Sequence, residues 1–393
     1  DDRNARAGEL PGGLRAGELA LEVARHYDEA QDREGAFTWY ERAARHAENQ
    51  SAYEDAARLW GIASERATTQ QDRDRALVSL GYSHIVAGAL EEARGLLLGL
   101  RSSEPVADPA AVATQMHVCA ELARIAIFLD GDFALARELL TEGLAMSAGD
   151  ETVRAELMLR HQLGNLAIWT GDYDEAIRIH EANVERASEG SEFYRRGWGL
   201  NSLSFALTQS GELDRAMAVV DRVIRAADEL GDPRLRMGGI AQKGVVSLFR
   251  EDWTEALAWF GEAQELNRRN GDPEKFATVA NYLGEAALGA GLVPRAAEQF
   301  TEALTYARNA GAVPEELRAL AGLAAVAAAE GDREVAEEGL AMVRADPAAY
   351  SEVQRFVRGA AERYGLTLGE PVHDRLEVLE RLEARAVETV PTV

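Results

Sequence analysis

Apolar and small residues recur at steps of three and four along most of the chain, as in Leu163, Gly164 and Ala167, then Ala176, Ile179 and Ala182. This is the spacing of a buried stripe on a helix, so the pattern predicts amphipathic helices and leaves strands uncompetitive. The helices also share a register. Ala136, Ala176, Ala216, Ala256, Ala296 and Ala336 each stand forty residues after the last. Glycine precedes five of them by five residues, at Gly131, Gly171, Gly211, Gly291 and Gly331, with Glu251 breaking the series. A bulky apolar residue follows four later, in Leu140, Val220, Phe260, Phe300 and Leu340, with His180 as the exception. A unit of this length cannot bury its apolar face alone, so neighbours must stack and the predicted fold class is an all-α solenoid.

Two turns per unit follow from the polar positions. In Gly131-Asp132, Gly171-Asp172 and Gly331-Asp332 the glycine accepts the left-handed conformation that ends one helix, and the aspartate caps the next. Gly231-Asp232-Pro233 and Gly271-Asp272-Pro273 place a cap before a proline, whose missing N–H would be unpaired at a first helical position in any case.

Leu163-Gly164, Ala167, Gly171-Asp172-Tyr173, Ala176 and Ala182 together resemble a tetratricopeptide repeat, stretched from its usual 34 residues to forty by longer helices. The resemblance covers residues 73 to 345 and implies a right-handed α-solenoid of about eight or nine helix-turn-helix units. Leu80-Gly81, Ala93 and Leu97 form an earlier unit. The step from Ala93 to Ala136 is forty-three, through the loop from Ser102 to Pro109, where an irregular connection is expected.

Tyr27, Ala36, Tyr40 and Ala43 fit one more unit, but Ala36 to Ala56 is half a period, so single helices are expected there. Val23 to Ala30, Trp39 to Ala44 and Ser51 to Ala56 resemble the junction of large ATP-dependent bacterial regulators of the maltose-regulon-activator type. There an ATPase module meets helical repeats that sense an inducer or partner. The chain begins at Asp1 without methionine, as a fragment or processed form would. The expected organisation is a tail over 1–12, a continuous repeat array over 13–345 with irregular first units, and two helices within 346–393, Tyr350 to Tyr364 and His373 to Ala386. These two helices read as a cap or as a linker to a further module.

Composition narrows the function classes. A net charge of −25 with no Lys/Arg-rich run argues against direct nucleic-acid binding. Lys243 and Lys275 are the only lysines, and neither follows a glycine as a P-loop requires. The seven histidines, His26, His46, His84, His117, His161, His180 and His373, include no pair at helical metal-ligand spacing. No serine has a nucleophile-elbow context. The sequence therefore gives no basis for an enzyme, a metal or a cofactor. Cys119 is the single cysteine, read as a small core residue in a cytoplasmic protein. No apolar run is long enough to cross a membrane.

Within one copy, Leu200, Leu203, Ser204 and Leu207 form a packing face, while Trp198, Asn201, Phe205 and Thr208 form another. The resemblance implies that the second set faces a concave groove. Carried across the register, it gives His161, Asn165 and Trp169 in the preceding copy, Asn281 and Glu285 in a later one, and Glu121, Ile125 and Phe128 in an earlier one. Amides donate and accept, and rigid rings supply contact area at low entropy cost, a mixture suited to a protein, peptide or small-molecule inducer. Trp39, Trp60, Trp253 and Trp259 fall at packing positions. The expected function is a non-enzymatic sensor and interaction module of an ATP-dependent transcriptional or signalling regulator, with a self-standing adaptor as the alternative.

Overall fold

In the computed structural model the described residues are 13–50, 52–102, 106–129, 131–147, 149–189, 193–270, 273–370 and 377–382. The glycine–aspartate turns are built as their chemistry requires. Gly131, Gly171 and Gly331 have φ of 65°, 82° and 93°. Asp132, Asp172 and Asp332 accept from the backbone N–H three residues on, at 2.9, 3.1 and 3.3 Å. Asp232 accepts from the N–H groups of Arg234 and Leu235, with Pro233 beginning the helix. Residues 271 and 272 of the equivalent turn, residues 103–105 of the expected irregular loop, and the tail 1–12 lie outside the described residues.

These turns separate α1 Gly13–Glu29, α2 Arg33–Asn49, α3 Tyr53–Arg66, α4 Gln70–Val86, α5 Leu90–Leu100, α6 Pro109–Phe128, α7 Phe133–Ala145, α8 Val153–Thr170 and α9 Tyr173–Glu189. They continue as α10 Phe193–Gln209, α11 Leu213–Leu230, α12 Pro233–Phe249, α13 Trp253–Asn270, α14 Pro273–Gly289, α15 Val293–Asn309, α16 Val313–Ala329, α17 Arg333–Ala345 and α18 Ser351–Tyr364. No strand occurs among the described residues. The chain divides into two compact units, 1–162 and 163–393, with the division falling inside α8. No helix among the described residues is long and apolar enough to cross a membrane.

All six register alanines have no exposed surface. They sit where paired helices cross, and a second device keeps the crossing close. A glycine receives the bulky side chain sixteen residues later, so that a Cβ on Gly164, Gly244 or Gly284 would stand 2.5, 2.6 or 2.7 Å from His180, Phe260 or Phe300. His180 thus fills the place of the bulky apolar residue and is fully buried there. In the first unit Gly81 receives Leu97 in the same way, and α1 to α4 pack each on the next, as the half-period spacing predicts.

The break in the glycine series is a break in sequence alone. Glu251 adopts φ 59°, the left-handed turn its neighbours make with glycine. A side chain in that region costs about 1–2 kcal/mol, partly offset in glycine by greater freedom of the unfolded chain. Glu251→Gly is therefore expected to stabilise the protein by about 0.5–1 kcal/mol in urea denaturation. A loss of stability would show that the exposed Glu251 side chain carries an interaction worth more than the strain.

The tryptophans assigned to packing positions divide. Trp60 is 1% exposed and its indole N–H donates to Glu48 at 2.7 Å. Trp39, Trp253 and Trp259 also pack against the core clusters beside them, but are half-buried. Trp39 and Trp259 lie under cations, Arg42 at 4.4 Å and Lys243 at 5.0 Å, because each occupies a helix face that solvent still reaches.

Candidate functional site

Within the second unit, α14, α16 and α18 each present polar groups at a spacing of three, which puts them on one face of each helix. The pairs are Tyr282 and Glu285, Glu315 and Arg318, and Glu352 and Arg355. Arg318 is 1% exposed, in a helix otherwise dominated by alanine and leucine. Its guanidinium donates to Glu285 at 2.8 Å and pairs with Glu352 at 2.6 Å. It also lies 3.8 Å from the centre of the Tyr282 ring. The Tyr282 hydroxyl donates to the same Glu352 oxygen at 2.5 Å, and its ring stacks on Phe260 with centroids 5.2 Å apart. From α18, both terminal nitrogens of Arg355 reach Glu285 at 3.2 Å while the guanidinium covers the Phe249 ring at 4.8 Å.

The electrostatics follow from this arrangement. Burial opposes the charge on Glu285, but Arg355 and Arg318 outweigh it and hold the carboxyl below its ordinary range. Burial likewise opposes the charge on Arg318, and Glu352, Tyr282 and Glu285 overcome it, so the guanidinium stays firmly charged. Burial, reinforced by Glu352, pushes the Tyr282 phenol well above its ordinary value, which keeps it a hydrogen-bond donor.

α18 reaches further across the unit. Ser351 Oγ donates to the carbonyl of Ile168 at 2.8 Å near the end of α8, and Arg363 donates to the carbonyl of Gly289 at 3.2 Å. Val353, Phe356, Val357 and Ala360 are buried in one core cluster with Ala280, Ala287, Leu320 and Ala321. Val378 and Leu382 of residues 377–382 join that cluster, Leu382 against Gly339; this is the described part of the helix expected from His373 to Ala386.

The residues expected in a groove separate into two groups. Asn281 is fully buried and donates to the backbone carbonyl and side chain of Glu315 at 3.0 and 2.9 Å, and Glu285 is held by the two arginines. Trp198, Asn201 and Phe205 share a face of α10 and are half-buried, the two rings resting on the cluster around Leu203 and Leu207. Asn201 rests against Gly238, where a Cβ would come within 3.2 Å of its amide oxygen. Asn165 and Trp169 are half-buried on α8, and His161, one turn earlier on that helix, falls in the first unit. In the first unit Glu121 is buried beside Arg124 at 3.2 Å, and burial pushes its carboxyl up against that pairing. The Phe128 side chain lies outside the described residues.

The register assigns the faces. Two forty-residue steps lead from Asn201 to Asn281 and from Phe205 to Glu285, and three lead from Trp198 to Arg318. The groove positions expected from the register end at Asn281 and Glu285, one repeat short of Arg318. A lone arginine among the alanines of α16, in register with Trp198, was the available signal. Glu352 and Arg355 carried no such signal, because α17 is shorter than its counterparts in the second unit and α18 leaves the register.

No family model and no curated protein matches the chain. Solved structures do match in fold. A Rap protein complexed with competence and sporulation factor aligns with a TM-score of 0.64 at 12% identity, covering 92% of this chain and 99% of that one. Aspartyl phosphate phosphatase F from Bacillus subtilis aligns at 0.55 and 11% identity, covering 90% and 93%. A signal transduction ATPase with numerous domains and a tetratricopeptide repeat sensor, from Pyrococcus horikoshii, aligns at 0.53 and 14% identity, covering 89% of this chain and 53% of that longer one. The fold is therefore an all-α solenoid of tetratricopeptide type, similar to that of regulator sensor regions.

Proposed function

We propose that this protein acts by binding rather than by catalysis, as a sensor and interaction module whose second unit takes a protein or peptide segment, or a small-molecule inducer, on the face carrying Trp169, Trp198, Asn201 and Phe205. The observation that carries this reading is the half-buried state of those rings and amides on one side of a unit whose register alanines are all fully buried. Rings left partly open beside amides are an anchor chemistry, because they gain contact area on binding without first having to unfold anything. Asn165 shares this face, and His161, Asn281 and Glu285 mark its register on either side. Such a module serves an ATP-dependent transcriptional or signalling regulator, and the fold likeness to a sensor of that class supports it. A self-standing adaptor is favoured by a different observation, the alignment over 99% of a Rap protein that was solved with a bound factor.

A peptide and metabolite screen by thermal shift, followed by calorimetry, tests the reading. Trp198→Ala is expected to cost a bound segment about 2 kcal/mol or more, with Asn201→Ala weaker, while both variants stay folded. Equal affinity of the parent and both variants for every hit would remove the face from consideration.

A further inference from the structure

The helix that carries Trp198, Asn201 and Phe205 has a second side. By helical spacing Leu203 and Leu207 point away from those three, and they form the floor of a crevice of about 800 Å³ between α9 and α11, with Val184 and Val219 beside them. The two walls differ in kind. α9 presents acceptors, Glu181, Glu185 and the Ser188 oxygen, whose own proton goes to the Val184 carbonyl at 2.8 Å. α11 presents donors, Arg215 and Arg222. At one end the walls are joined, Arg215 donating to Glu181 at 2.7 Å. At the other end Glu185 and Arg222 are exposed, and neither has an ion-pair partner among the described residues.

The register shows why this seam is open. Two repeats on, the positions of Val184, Val219 and Arg222 hold Gln264, Gln299 and Glu302, and the Gln264 amide donates to both partners at 3.3 and 3.4 Å, joining α13 to α15. One repeat on, the positions of Leu203 and Val219 hold Lys243 and Trp259, the ammonium 5.0 Å from the ring centre. Between α9 and α11 the same positions carry short apolar side chains, which bridge nothing and leave the space unfilled.

We infer that this crevice binds a small zwitterion with an apolar body, the chemistry shared by an apolar amino acid and a short apolar peptide. The ligand carboxylate pairs with Arg222, the ammonium with Glu185 and the Ser188 oxygen, and the apolar body lies on Leu203, Leu207 and Val219. An anion alone meets the carboxylates of α9, and a cation alone meets the guanidinium groups of α11, so the walls select a ligand that carries both charges. The volume falls within the range of small-molecule sites. This site goes beyond the reading of the Trp198 face as a partner surface, since it lies on the opposite side of the same helix.

Calorimetry on the full chain with phenylalanine and with the dipeptide leucyl-phenylalanine is the test. Binding of either probe is expected, and the tighter of the two names the free amino acid or the short peptide as the source. Arg222→Gln and Glu185→Gln, both at exposed positions, are each expected to weaken binding by about ten-fold or more. Phenylalaninamide and N-acetylphenylalanine, which each lack one of the charges, should lose as much against phenylalanine. Val219→Trp, which copies the residue one repeat on, is expected to fill the crevice and abolish binding. Absence of binding by both probes at millimolar concentration, or affinities unchanged in Arg222→Gln and Glu185→Gln, would overturn the inference. The result is separate from that at Trp198. An empty crevice leaves the Trp198 face standing as a site, and a screen that finds nothing for that face leaves the crevice standing.

Discussion

Replacing Arg318 by methionine is expected to lower the stability of the second unit by about 3–5 kcal/mol, because it leaves buried Glu352 without its cation and takes one of two cations from Glu285. Glu285 keeps Arg355, but Glu352 retains only the Tyr282 hydroxyl as a close partner. Methionine fills much of the arginine stem's volume, so the effect reports charge and not a cavity. In a unit of this size the melting midpoint should fall by roughly 6–15 °C. The pH dependence gives a second check. In the parent, Glu285 is depressed by its arginines, so its contribution is present above the ordinary carboxylate range and is lost as the pH falls through its lowered value. In the variant Glu285 has lost one of the two arginines that hold it down, so it binds its proton at higher pH than in the parent, and that proton relieves part of the penalty. The gap between variant and parent should therefore narrow on acidification from pH 7 towards about pH 4.5, where carboxylates begin to protonate. A gap below about 1 kcal/mol at pH 7 would mean that these groups are solvated in solution and not paired as described.

Phe300→Ala should be comparably damaging, about 3–5 kcal/mol, as expected for emptying a fully buried aromatic site. The ring is gripped by glycine from two sides, Gly284 on α14 and Gly322 on α16, and it meets Phe356 of α18 edge-on at 6.1 Å. Gly322→Ala alone should also destabilise, by about 1–3 kcal/mol, since its Cβ would fall inside the ring's van der Waals surface. The two changes should not add, because the truncated side chain at 300 leaves room for the new methyl group. Thermal melts of the two single variants and the double variant check this, and strict additivity would show that the ring and the glycine are not in contact.

The repeat was legible because it rests on local chemistry. The register alanines, the glycine that accepts a bulky partner sixteen residues on and the capping aspartates each leave a short-range mark in the sequence. The same holds for the α10 face, whose Trp198, Asn201 and Phe205 follow from helical spacing. Two kinds of feature escaped. Glu251 shows that a backbone requirement survives when the residue that usually announces it is replaced, since neighbouring helices impose the turn. The network of Arg318, Glu285, Glu352 and Arg355 escaped for a different reason. Its bonded partners are thirty-three to seventy residues apart, Glu352 and Arg355 lie outside the register, and charge complementarity between distant segments leaves no one-dimensional trace. Asn281 and Glu285 were expected in the groove from the register, but what they meet depends on Glu315 and Arg318 of α16 and on where α18 lies.

The bond from Ser351 to the Ile168 carbonyl, with Tyr173 donating to Ser351 at 3.4 Å, spans 183 and 178 residues and ties the last hairpins of the second unit to its first. A solenoid without such a tie comes apart from its ends, one repeat after another, because each repeat answers only to its neighbours. Here the two ends answer to each other. Fraying at α8 removes an acceptor from α18, and loss of α18 uncovers α14 and α16, so disorder at either end is felt in the middle. The second unit should therefore melt as one cooperative body, with a transition sharper than a row of independent repeats allows, and the tie is the element whose removal would return it to unzipping.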